Sequence, residues 1–435
     1  MNAGSWWAAH AHLPGGIAQD VRFEIVDGRF SSITAGVAKQ DSTVLAGVAM
    51  PGFADVHGHA FHRALRGRTH QGTGSFWTWR ETMYALAQRL DPDTYLALAR
   101  ATYAELAMSG VSTVGEFHYL HHGPGGARYD DPNEMAQVLR QAAADAGVRL
   151  TLIDACYLRA GLRGEELNEV QARFADRDFD AWATRVAALK DGPSTRIAYA
   201  AHSVRAVAAK DLARIAQQSA ERPLHLHLSE QPAENAECLE IEGMTPTQLL
   251  DSVGVLGPQT VAVHATHLSS ADVATLGARG VGICACPSTE RDLADGIGAM
   301  RALADAGARL SLGTDQHVAA DVFAEARGLE ENERVVSLTR GRFDQSELLA
   351  ALTAHDQLGW SDAGRLEVGA RADLVAVRTD SIRTAGSDPS QIVMSAAASD
   401  VDTVLVEGRR VVESGRHILG DVGQLLAEAI EKLWR

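Results

Sequence analysis

The strongest constraint on this chain is a rhythm. Short apolar runs, Val48–Asp55, Ser112–His118, Val148–Asp154, Arg196–Ala200, Leu224–Leu228, Thr260–His264, Val281–Ala285 and Arg309–Thr314, alternate with alanine-rich amphipathic stretches. The stretches include Asp93–Ser109, Pro132–Ala146, Ala208–Ala220 and Ser269–Ala278. Runs this short and this apolar suit parallel strands buried on both faces, and parallel strands need helical crossovers between them. The expectation is an α/β fold in which a (β/α)8 barrel forms the main body. An open doubly wound sheet would carry a glycine-rich phosphate turn after its first strand. Here that position holds His57-Gly58-His59.

The two ends of the chain break the rhythm. Val21–Ile33 alternates in polarity around an Asp27-Gly28 turn, and Ala372–Val377 and Asp402–Val406 read as strands. Glu407-Gly408 has the chemistry of a hairpin turn leading into Arg410–Glu413, and Asp421–Trp434 reads as a helix. These segments predict a small β-sandwich built from residues 1–48 and 363–435, with the barrel inserted over 49–362.

Composition narrows the partners. A net charge of -16 argues against nucleic acid, whose phosphates need a basic face. No apolar stretch is long enough to cross a membrane, and Met1–Asp20 lacks the basic and apolar regions of a secretory signal, so the cytoplasm is the expected compartment. The four cysteines, Cys156, Cys238, Cys284 and Cys286, are too sparse for a disulfide framework and read as small core residues. The oligomeric state is open between a monomer and a homodimer.

Chemistry gathers at the ends of the strands. His57 and His59 are two apart, so on a strand both imidazoles face the same way. His225-Leu226-His227-Leu228-Ser229-Glu230 offers two histidines, either of which could be a third ligand, with a carboxylate just beyond. His264 closes another run, and Asp315 follows Gly313-Thr314 after the last. Barrel enzymes build their sites at the C-terminal ends of strands. Several N and O ligands there, with one position left for water, are what a catalytic zinc site requires.

In this order the ligand-type residues resemble the amidohydrolase superfamily. Met50-Pro51-Gly52-Phe53-Ala54-Asp55-Val56-His57-Gly58-His59 looks like its first barrel strand, and Gly364–Val375 like its return into the terminal β domain. The spacing His227-x-x-Glu230 is similar to the deaminase branch. The resemblance implies His57, His59, His227 and Asp315 as metal ligands, Glu230 and His264, with Asp315, as catalytic groups, and His225 as structural. Two-metal members bridge their ions with a carboxylated lysine. Lys39, Lys190, Lys210 and Lys432 all lie away from predicted strand ends, which points to one Zn2+ per chain.

Three further segments resemble the formimidoylglutamate deiminase family: Ser75–Glu81, Gly115–His122 and His202–Val207. The resemblance implies deimination of N-formimino-L-glutamate in histidine degradation, with the small-molecule dicarboxylate held by Arg80, Tyr119, His202 and Arg205. Arginine suits that task because its guanidinium matches a carboxylate with two hydrogen bonds. Trp77 and Trp79 are expected to pack a lid or helix. His62 stands where the family pattern has glutamine. It keeps a hydrogen-bond donor toward substrate and introduces a group that ordinarily titrates near neutrality. The competing readings are a deaminase of purines, pyrimidines or related formimino and guanidino acids, and a retired barrel acting as a scaffold. A retired barrel should have lost ligands, and none of the set is missing.

Overall fold

The computed structural model describes residues 3–70 and 73–435. Eight strands, β1 (Phe53–Gly58), β2 (Val111–His118), β3 (Arg149–Cys156), β4 (Thr195–Ala201), β5 (Leu224–Leu228), β6 (Thr260–His264), β7 (Gly282–Ala285) and β8 (Arg309–Leu312), pair in chain order, each parallel to the next. A parallel bridge between Gly58 and Asp315 joins the last strand to the first and closes the barrel. Every residue of β1, β2, β3, β5, β6 and β7 is buried. That explains why these segments read as continuous apolar runs rather than alternating ones. The helices that follow carry the expected signals, such as the Asp91 capping box with Pro92 opening Pro92–Met108, and the left-handed Gly147 closing Glu134–Ala146.

The termini form a mixed sheet. Its order runs Arg416–His417, Arg409–Glu413, Val401–Val406, Leu374–Val377, Val48–Pro51, Ala3–Leu13, Gly16–Val26, Arg29–Thr34, with Thr43–Val44 pairing alongside Ala3–Leu13. Trp6, Phe23 and Phe30 from one half share a core with Leu374 and Leu405 from the other, so the sheet folds over on itself as a sandwich.

One strand differs from the sequence reading. Val48–Asp55 is not a single strand. Val48–Pro51 pairs with Ala3–Leu13 and Leu374–Val377 in the terminal sheet, and the chain changes sheets at Gly52 before β1 begins. A Cβ at Gly52 would lie 2.5 Å from Ser112 Oγ, so only glycine fits the crossing.

A buried ion pair rivets the two units together. The Arg149 guanidinium, on β3, grips both oxygens of Asp373, at the edge of the terminal sheet, and Thr113 Oγ1 accepts a further bond from it at 2.8 Å. Burial alone would raise the Asp373 carboxyl, but Arg149 more than offsets that and holds it below the usual carboxylate range. Arg149→Met leaves this carboxylate buried without its partner, and we expect a loss of about 3–5 kcal/mol in unfolding free energy. Chemical denaturation at neutral pH measures it. Because the carboxyl is depressed in the folded state, its contribution is present above about pH 4 and fades as the pH falls through the folded value. The destabilisation by Arg149→Met should therefore shrink in acid.

Candidate metal centre and substrate cleft

The strand ends bend sharply at the mouth of the barrel. Ser229, His264, Ala265 and Asp315 take left-handed backbone angles, with φ of 49°, 68°, 50° and 45°. Non-glycine residues hold such angles only when their surroundings fix them. Here the fixing is explicit: Ala265 N–H donates to Leu228 O at 3.1 Å, His267 N–H to Ser229 O at 3.0 Å, Asp315 N–H to His57 O at 2.9 Å and His59 N–H to Asp315 O at 3.0 Å. Asp55 completes the seam, accepting from Thr314 N–H at 2.8 Å and Thr314 Oγ1 at 2.7 Å. A Cβ at Gly313 would meet His57 O at 2.6 Å, so β8 needs glycine to approach β1 this closely.

The result is a convergence of nitrogen and oxygen atoms. His57 Nε2 lies 3.3 Å from His227 Nε2 and 3.5 Å from Asp315 Oδ1, and His59 Nε2 lies 3.4 Å from the same oxygen. Ligands about 2.0–2.1 Å from a tetrahedral zinc stand ~3.3 Å apart, so the spacing fits one ion at their centre. The rear nitrogens support this. His59 Nδ1 meets Phe117 O at 2.9 Å and His227 Nδ1 meets His202 O at 3.0 Å, contacts that place the proton behind and the Nε2 lone pair toward the centre. Burial, and then neighbouring imidazoles, hold His57 well below its ordinary pKa, the neutral state a metal requires. His225 turns away and meets Gln357 O at 3.1 Å.

Glu230 and His264 stand beside this centre. His264 Nε2 is 3.9 Å from Glu230 Oε1 and 3.9 Å from Asp315 Oδ2. Burial works against a charged His264, but Glu290, Glu230 and Asp315 outweigh it and push the imidazole up to about 10. A divalent cation at the centre acts in the opposite direction.

A cleft rises from the centre. His62, Arg80, Tyr119, His202 and Arg205 all line it, together with His59, His227, Glu230, His264 and Asp315. The two arginines differ. Arg205 is already engaged, with Nη2 2.8 Å from Glu230 and Nε 3.3 Å from Glu234. The Arg80 side chain makes no hydrogen bond or ion pair with any described residue. It stacks 4.4 Å from the centroid of the Trp77 ring and 5.5 Å from that of Tyr84. Trp77 thus packs beneath the arginine, whereas Trp79 reaches the cleft wall, edge-on to His62 at 5.2 Å.

His62 Nε2 is 2.9 Å from the Tyr119 hydroxyl. Burial, and then the surrounding histidines, hold it well below its ordinary pKa, so it is neutral near pH 7 and does not titrate there as its residue type suggests. Tyr84, Tyr157 and Phe174 also line the cleft and were not anticipated from the sequence. For Tyr157 a signal existed, since it directly follows the C-terminal end of β3.

The amidohydrolase family model matches residues 48–411. The chain belongs to the amidohydrolase family. Residues 6–42 also match the model described as formimidoylglutamate deiminase HutF, N-terminal domain. The chain is 34% identical over 430 residues to the formimidoylglutamate deiminase of Pseudomonas aeruginosa, an alignment covering 94% of this chain and 95% of that protein. It is 30% identical to the 8-oxoguanine deaminase of the same organism, covering 87% of this chain and 85% of that one. Among solved structures, an amidohydrolase from Brucella melitensis superimposes with a TM-score of 0.91 at 30% identity, covering 99% of this chain and all of the other. No helix among the described residues is long and apolar enough to cross a membrane.

Proposed function

We propose that this member of the family hydrolyses N-formimino-L-glutamate to N-formyl-L-glutamate and ammonia, as a step of histidine degradation in the cytoplasm. The observation that carries the reading is Arg80: an arginine with no counter-ion among the described residues, facing a cleft that ends on a histidine–aspartate centre, in a protein of net charge -16. A neutral purine would leave that cation uncompensated. A dicarboxylate satisfies it and leaves the outer edge of Arg205, with His202 beside it, for the second carboxylate. The similarity to the Pseudomonas aeruginosa deiminase over nearly the whole chain supports the same substrate.

We read His57, His59, His227 and Asp315 as holding one zinc ion. The chemistry zinc supplies when bound is hydroxide near neutral pH, because coordination lowers the pKa of water to about 7. The attacking water gives up two protons, the first as it adds and the second as the carbonyl forms; Asp315, with His264 beside it, takes them up and hands them on to Glu230. The water oxygen bonds to the formimino carbon, which becomes tetrahedral. Glu230 passes both protons to the terminal nitrogen, which goes from imine to amine and then to ammonia; the bond from that nitrogen to carbon breaks as the added hydroxyl gives up its proton and the carbon becomes a formyl carbonyl. Tyr119 and His62, bonded to one another, present a polar edge to the substrate.

An ammonia-release assay across N-formimino-L-glutamate, N-formimino-L-aspartate, N-guanidino-L-glutamate and guanine tests the substrate. We expect the first to have the highest kcat/KM, and preferential turnover of guanine would reject the reading. Elemental analysis tests the metal: we expect one zinc per chain, and activity requiring two ions would contradict the assignment.

A further inference from the structure

The two imidazoles with fixed rear nitrogens at the centre, His59 and His227, are held by backbone carbonyls. His264 is different. Its Nδ1 is buried and has no hydrogen-bond partner closer than the Glu290 carboxylate, whose Oε1 lies 3.5 Å away. Its Nε2 points the other way, toward Glu230 and Asp315. Glu290 is itself 2% exposed and pinned, because the same Oε1 accepts the Cys286 N–H at 2.8 Å. That amide sits just past the end of β7, and Glu290 lies on the short helix Pro287–Asp292 that follows. The carboxylate therefore has a fixed place behind the ring, on a part of the barrel that carries no metal ligand.

We propose that Glu290 is a positioning residue that holds the His264 ring with Nδ1–H directed at its carboxylate and Nε2 presented to the reaction. An imidazole free to flip would present either nitrogen to the substrate. An acceptor behind Nδ1 selects one tautomer and one orientation. The left-handed backbone at His264 turns the side chain into the mouth of the barrel, and Glu290 fixes the rotation that remains about the ring axis. Glu290 does not line the cleft and acts only through His264. The proposal rests on the reading of His264 as a proton-transfer group.

The test is a double-mutant cycle on N-formimino-L-glutamate, using Glu290→Gln, His264→Asn and the double variant, all loaded with zinc. Glu290→Gln should lower kcat by about 10- to 100-fold, the scale for partners that orient a catalytic histidine. KM and zinc content should stay within twofold of the wild type. In the His264→Asn background the same change should cost less than about twofold, because the ring it orients is gone. Glu290→Asp, which keeps the charge but withdraws it, should fall between wild type and Glu290→Gln. An equal loss in both backgrounds, or full activity in Glu290→Gln, would overturn the proposal. So would a second metal ion lost on Cys286→Ser, since His264, Cys286 and Glu290 would then be ligands. If the wild type releases no ammonia from this substrate, the functional reading fails instead, and the cycle is run on the substrate that the panel identifies.

Discussion

Glu230→Gln should leave zinc in place and lower kcat by about 10²- to 10⁴-fold, the range for removal of a general acid–base group. The geometry explains why the metal survives. Glu230 lies 3.9 Å from His264 and is tied to Arg205 at 2.8 Å, while the converging ligand atoms belong to other residues. Burial alone would raise the carboxyl, but Arg205, then His264 and His227, bring it down to about 2. It is therefore a carboxylate, ready to take a proton before giving one. Glutamine keeps the shape and the bond to Arg205 but cannot carry a proton between water and nitrogen. Elemental analysis and single-turnover rates on the same preparation separate the outcomes. Loss of zinc with the fold intact would make Glu230 a ligand.

Arg80→Met should cost about 30- to 5,000-fold in kcat/KM for N-formimino-L-glutamate. A closed arginine–carboxylate contact is worth about 2–5 kcal/mol when one partner is removed, and each ~1.4 kcal/mol is tenfold. For a formimino analogue lacking one carboxylate, the variant should lose far less. Arg205→Met should behave differently. Its guanidinium holds Glu230, so its removal frees the proton shuttle and should slow both substrates, with the dicarboxylate slowed more, by at least about 30-fold. Four kcat/KM values per variant pair decide the matter. Equal losses on both substrates for Arg80→Met would show that it supports the fold, and a wild type with no preference for the dicarboxylate would remove the basis for the substrate assignment.

The difference between the two arginines marks where sequence reasoning stops. His57-Gly58-His59 could be placed at a strand end because period-two geometry and barrel topology act locally. The eight strands were legible because each is a short, mostly apolar run set between amphipathic helical stretches, and six of them are buried along their whole length. The engagement of Arg205 by Glu230 and Glu234 depends on neighbouring barrel strands meeting in space, and no spacing encodes it. Val48–Asp55 read as one strand because both sheets bury its residues, so hydrophobicity carries no mark at the crossing. Ala3–Leu13 went unnoticed because Ala8 and Ala11, which face the core, contrast little with their neighbours. No motif in the sequence marks Glu290, and only the fold puts His264 in front of it.

Three of the four proposed ligands straddle the seam where β8 meets β1. His57 and His59 lie on one side and Asp315 on the other, joined by two backbone hydrogen bonds and the Asp55 clasp. This contact joins distant parts of the chain, so it carries the largest loop-closure entropy of any strand pairing in the barrel and is the natural place for it to breathe. A cation bound there acts as a buckle. It adds its binding energy to the contact that opens first, in proportion to the logarithm of its free concentration. Amide hydrogen exchange should therefore respond unevenly to chelation. The β1 and β8 amides should lose protection first and most, while those of β3 and β4, across the barrel, should change little. Uniform loss around the barrel would show that the seam is not its weakest point.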